Sequence, residues 1–77
     1  MDIHTLLHRL GQYYRKHRIL NRMSQEELAE RSNLDVKYIS GLENGRENPT
    51  YITLNKLSVA LNLPHPMIDS IAQEDDT

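Results

Sequence analysis

Apolar residues recur along the chain at intervals of three and four, the spacing of helices. Ile3, Leu6, Leu7, Leu10, Tyr13, Tyr14 and His17 make the first stripe and predict an amphipathic helix of about 18 residues. Asn21 and Arg22 stop it, Asn being the commonest non-Gly residue at a helix end. Ser24-Gln25-Glu26-Glu27 then has the pattern of a capping box, with Met23 before it and Leu28 after it placed as a hydrophobic staple. Leu28 and Ala29 belong to a two-turn helix that breaks at Ser32-Asn33. Asp35 is the next N-cap, Ile39 and Leu42 share one face, and Asn44-Gly45 ends that helix. Beyond the loop Arg46-Glu47-Asn48-Pro49, Thr50 caps a fourth helix whose apolar face is Leu54, Leu57, Val59, Ala60 and Leu61, closed by Asn62. Pro64-His65-Pro66 leads into a short fifth helix with Pro66 at its first position and Met67, Ile68 and Ile71 as buried candidates. No stretch alternates in the manner of a strand. The expectation is an all-α, compact five-helix domain over residues 1–72, followed by an acidic, disordered tail at 73–77.

Within this pattern, residues 24–45 carry the functional signal. Two short helices meet at the tight turn Ser32-Asn33-Leu34. Ala29 is small where the helices cross, Asn33 tolerates a left-handed backbone, and Leu34 and Ile39 close the corner from inside. These features specify a helix-turn-helix.

Composition narrows the classes further. The chain has 77 residues, no Cys, no Trp and no Phe, and 38% of it is hydrophobic. There is no thiolate for a disulfide, a zinc site or a nucleophile. No apolar run approaches the roughly 18 residues of a membrane span. The N-terminus has no signal-peptide pattern, which makes the cytoplasm the expected location. Nine Lys+Arg stand against eleven Asp+Glu, a formal charge of −2. The distribution is uneven: residues 1–46 hold eight Lys/Arg against six acids, and residues 47–77 hold one Lys against five acids. That excludes an indiscriminate polyanion binder but allows one basic face.

The ordered set Leu10-Gly11, Arg15, Arg18, Ser24-Gln25-Glu26-Glu27-Leu28-Ala29, Tyr38-Ile39-Ser40, Leu42-Glu43-Asn44-Gly45, Asn48-Pro49-Thr50, Leu54, Leu57, Ala60-Leu61 and Leu63 resembles the phage-repressor/Cro-type (XRE-type) helix-turn-helix proteins. The likeness covers residues 10–70 and implies the lambda-repressor-like DNA-binding fold. Asn33-Leu34-Asp35 followed by Tyr38-Ile39-Ser40-Gly41 is similar to the controller proteins of restriction–modification systems. The chain departs from the family in having Arg22 and Asn33 at positions where Gly is common, and His17 where Leu is.

The resemblance implies roles for particular residues. The second helix of the motif, about Asp35 to Asn44, enters the major groove. With Ile39 and Leu42 inward, Val36, Lys37, Ser40 and Gly41 face out as base-contact candidates. Lys37 can donate to guanine O6 or N7 and Val36 can meet a thymine methyl. Gly41 lets the backbone approach the groove. Gln25 holds the family's phosphate position, and Tyr38, Asn44 and Arg46 are further phosphate candidates, with Lys16 and Arg22 adding long-range attraction. Arg18 and Glu43 form the family's structural ion pair. A two-fold dimer reads two half-sites of double-stranded DNA, and Leu61, Leu63, Met67, Ile68 and Ile71 are its interface candidates, joined by Ile3 and Leu7.

Plainer roles compete. Tyr13, Tyr14 and Tyr51 have helical spacing and read as packing residues. His4 and His8 stand at i and i+4 but have no third ligand, so no metal is expected, and no cofactor. Ser24 is a cap without a neighbouring base, and no catalytic constellation exists, so an enzyme is not expected. The reading is a sequence-specific, dimeric transcription regulator of the controller type. The alternative is a helix-turn-helix protein-interaction module, such as an antitoxin or repressor antagonist, which the negative net charge and the sparse reading face favour.

Overall fold

Each helix opens on a side chain that supplies an acceptor for an amide with no intrahelical partner. The computed structural model describes residues 1–64, in which α1 spans Ile3–Leu20, α2 Gln25–Ser32, α3 Val36–Glu43 and α4 Tyr51–Ala60. Asp2, Ser24, Asp35 and Thr50 are the four N-caps. They accept from the amides of Thr5 (2.8 Å), Glu27 (3.0 Å), Lys37 (2.7 Å) and Thr53 (3.1 Å). The expected fifth helix at Pro66, Met67, Ile68 and Ile71, and the tail at 73–77, lie outside the described residues.

All four helices also stop the same way. Arg22, Asn33, Gly45 and Asn62 take left-handed φ of 58°, 57°, 73° and 58°. After each, an amide reaches back to a carbonyl five residues earlier: Met23 to Arg18 (3.1 Å), Leu34 to Ala29 (2.9 Å), Arg46 to Gly41 (2.8 Å) and Leu63 to Ser58 (2.8 Å). This is the Schellman arrangement, which satisfies the last carbonyls and turns the chain sharply. Asn and Gly suit the left-handed position, whereas Arg22 bears a Cβ penalty of about 1–2 kcal/mol there. Arg22→Gly is therefore expected to stabilise the fold by about 0.5–1 kcal/mol after the entropy cost of Gly in the unfolded chain. Thermal unfolding should show a midpoint raised by a few degrees; an unchanged or lower midpoint would refute the strain.

These ends fix how the helices meet. α1 packs on α3, and α2 packs on both α3 and α4. Leu10, Tyr14, Met23, Leu28, Ala29, Ile39, Leu42, Leu54, Leu57 and Leu61 form the core. Gly11 marks the closest approach of α1 to α3. A Cβ on it would lie 2.9 Å from the backbone C and O of Glu43 and closer still to the Leu42 carbonyl oxygen. The Tyr14 hydroxyl is buried against Ser58 Oγ at 2.9 Å, so each satisfies the other.

α4 differs from its expected face. The inward stripe is Leu54, Leu57, Ser58 and Leu61, while Val59 is 70% exposed. Val59 lies five residues from Leu54, on the opposite side of a 3.6-residue helix. Tyr51, expected to pack, is exposed as well, as is Ile52.

Candidate nucleic-acid interface

The helix-turn-helix is built around Asn33. Its left-handed backbone (φ 57°, ψ 42°) ends α2 and lets Leu34 turn inward before Asp35 starts α3. Ala29, small and buried, belongs to the core between these helices and their neighbours. Ile39 and Leu42 point into the core, as does Glu43 at 2% exposure. The opposite face carries Val36 and Lys37, both exposed, with Ser40 and Gly41 half-buried beside them. Asp35 has its carboxylate tied to the Lys37 amide, so the start of the outward face is held in register.

Behind this face lies one polar network. Arg18 of α1 meets Glu43 at the end of α3 through two parallel bonds, Nε to Oε2 at 2.7 Å and Nη2 to Oε1 at 3.0 Å. Its third nitrogen, Nη1, donates to the Met23 carbonyl at 2.8 Å. Gln25, the first residue of α2, donates Nε2 to Glu43 Oε1 at 3.0 Å. Gln12 donates to the Glu43 carbonyl at 3.2 Å. Side-chain exposures of 12% for Arg18 and 2% for Glu43 take the pair out of solvent. The fork geometry of guanidinium on carboxylate fixes direction as well as distance. Glu43 thus joins α1, the start of α2 and the end of α3 at one carboxylate.

The expected phosphate residues lie around the rim of α3. Gln25 sits at the α2 N-terminus with its amide group already turned to Glu43. Asn44 is exposed and donates Nδ2 to the Ser40 carbonyl at 2.8 Å. Arg46 is exposed in the loop, its backbone amide closing on the Gly41 carbonyl. Tyr38 is half-buried and packs against the core. Burial, then the nearby charge of Glu47, push that phenol above the usual tyrosine range, so it remains protonated at neutral pH.

Gly41 is not bare. A Cβ there would meet Glu47 Oε2 at 2.9 Å and Cγ at 3.0 Å, so the loop side chain covers the space that the sequence left for the backbone to approach DNA. Glu47 and Gln12 were not legible as site residues. The one signal was Gly41 itself, since Gly inside a helix costs about 1 kcal/mol and implies a close neighbour.

The expected dimer residues divide. Leu61 is 2% exposed and its side chain is spent in the core of the monomer, which corrects its assignment to a surface. Leu63 is half-buried and packs against that core. Met67, Ile68 and Ile71 lie outside the described residues. Ile3 is exposed and Leu7 half-buried on α1. Among the described residues no group of three or more His, Cys, Asp or Glu is placed to hold a metal, and no helix is long and apolar enough to cross a membrane.

The helix-turn-helix family model matches residues 15–68. The uncharacterized HTH-type transcriptional regulator y4dJ of Sinorhizobium fredii is 36% identical over 77 residues, covering 100% of this chain and 94% of its own. The control protein C.SmaI of Serratia marcescens is 40% identical over 68 residues, covering 88% of this chain and 77% of its own. Among solved structures, the restriction–modification controller protein C.Esp1396I, a tetramer in complex with its natural 35 base-pair operator, aligns with a TM-score of 0.78 at 32% identity. That alignment covers 94% of this chain and 96% of the other.

Proposed function

The chain belongs to the helix-turn-helix family, and from that premise we propose that it is a sequence-specific, dimeric DNA-binding transcription regulator, the controller of a restriction–modification operon. The observation that carries this reading is the outward face of α3. It is a short helix whose start is capped by Asp35, whose end is clamped through Glu43 to α1 and α2, and whose exposed strip holds Val36 and Lys37. A reading helix works only if its orientation is fixed before it meets the groove, because each base contact depends on sub-ångström placement.

In this reading α3 lies in the major groove. Lys37 donates to guanine O6 or N7, Val36 packs on a thymine methyl, and Ser40 adds a contact of low selectivity. Gln25, Tyr38, Asn44 and Arg46 bind the flanking phosphates and set the register. Two copies related by a two-fold axis place their α3 helices about 34 Å apart, one turn of the duplex. Because a dimer binds both half-sites, its concentration sets operator occupancy, and the monomer–dimer equilibrium is the control variable.

Two substitutions separate the roles. Lys37→Ala is expected to cost about 1–3 kcal/mol on the operator and to relax base preference at one position per half-site. Arg46→Ala should weaken binding to all sequences alike and reduce the salt slope by about one. Titration of each variant on operator and random duplexes at several salt concentrations reads both effects. Equal losses on operator and random DNA for Lys37→Ala would contradict its role as a base reader.

A further inference from the structure

The outward strip of α3 has a gap at Gly41 filled by another residue. Lys37 and Gly41 are one helical turn apart and share that strip. Gly45, at φ 73°, and the bond from the Arg46 amide to the Gly41 carbonyl (2.8 Å) fold the loop back over α3. Glu47 is thereby laid across Gly41, with Oε2 at 2.9 Å from where a Cβ would stand. Tyr38, half-buried against the core, lies near enough to the Glu47 carboxylate to feel its charge. A carboxylate from the loop therefore occupies the place in Lys37's row that a side chain at position 41 would take.

We propose that Glu47 is a specificity-determining residue that accepts a hydrogen bond from the N4 amino group of a cytosine in the major groove. The inference rests on the DNA-binding reading above and adds a residue to it. An ionised carboxylate is acceptor-only. Of the groove edges, guanine N7 and O6, adenine N7 and thymine O4 are acceptors and repel it; adenine N6 is a donor flanked on both sides by acceptors, its own N7 and the paired thymine O4, whereas cytosine N4 is a donor with an acceptor on one side only, the paired guanine O6. The residue thus acts by attraction to one base and by rejection of the others, since a desolvated carboxylate without a donor is costly. Gly41 is what makes this possible: any larger residue there would displace the carboxylate.

The test compares the natural chain with Glu47→Gln, which keeps the shape and removes the charge. Each is used to select sites from random duplex DNA, and the selected sites are titrated. The natural chain should select cytosine at one position in each half-site, and replacing it should weaken binding by about five- to a hundred-fold. In the Gln variant that preference should be lost or moved to adenine, which Gln recognises through N6 and N7, with the other positions unchanged. Glu47→Ala should likewise lose the preference. Comparable melting temperatures for the three proteins separate the effect from folding. An unaltered cytosine preference in both variants would overturn the inference, as would a uniform gain in affinity for all DNA. If the natural chain selects no site, the DNA-binding reading falls and the inference with it.

Discussion

Arg18→Met is expected to remove about 3–5 kcal/mol of folding stability, the cost of leaving a buried carboxylate without its partner. Glu43 is 2% exposed and accepts two bonds from Arg18; with the guanidinium gone, Gln25 supplies a single neutral donor to it. Met matches much of the volume of Arg, so the loss reports the charge and its bonds rather than a cavity. A chain of 77 residues has about 4–12 kcal/mol in total at 0.05–0.15 per residue, so this variant sits close to unfolding at 37 °C. The discriminating partner is the double variant Arg18→Met with Glu43→Leu. Replacing both charges with apolar groups removes the desolvation problem and should recover most of the loss. Denaturant unfolding of the two single variants and the double variant measures the coupling. Losses that simply add would contradict the account of Glu43 as a carboxylate dependent on Arg18.

The second large effect belongs to Gly11. Gly11→Ala is expected to cost about 3 kcal/mol or more, within and beyond the usual range for overpacking, although Ala is the better helix former by about 1 kcal/mol. The added Cβ meets backbone, namely the Leu42 carbonyl oxygen and the C and O of Glu43, and backbone has no rotamer in which to yield. α1 must back away from α3. Because the Arg18–Glu43 bonds cross that same interface, the variant loses their geometry too. Thermal unfolding should show a large drop in midpoint, and DNA binding should weaken as the α3 orientation loosens. A midpoint equal to or above that of the natural chain would show that the two helices have room the structure denies them.

How much of this was legible in the chain depends on the range of the interaction. Ser24, Asp35 and Thr50 were readable as caps because a cap acts on an amide two or three residues away. The left-handed turn at Asn33 was readable for the same reason. Arg22 was readable only as a stop: its left-handed φ is set by the Schellman bonds and by the burial of Met23, not by its own preference. On α4 the apolar residues run around the helix, so composition did not choose the face. Strict periodicity from Leu54 through Leu57, Ser58 and Leu61 would have put Val59 outside and Leu61 inside. The role of Gly11 was out of reach, and Gly41 signalled a close approach without naming Glu47 as the neighbour, since each depends on a residue far along the chain or across a folded loop. Of the interface, the outward direction of Val36 and Lys37 followed from Ile39 and Leu42 alone. The position of Glu47 over α3 did not.

The central claim is that the outward face of α3 reads a two-fold DNA sequence. Selection from random duplexes, followed by titration of the selected site and of random DNA at two salt concentrations, tests it most directly. The account predicts a two-fold symmetric site bound about a thousand-fold or more above random DNA, with half-sites one helical turn apart. Weak, salt-sensitive binding that is blind to sequence would contradict it.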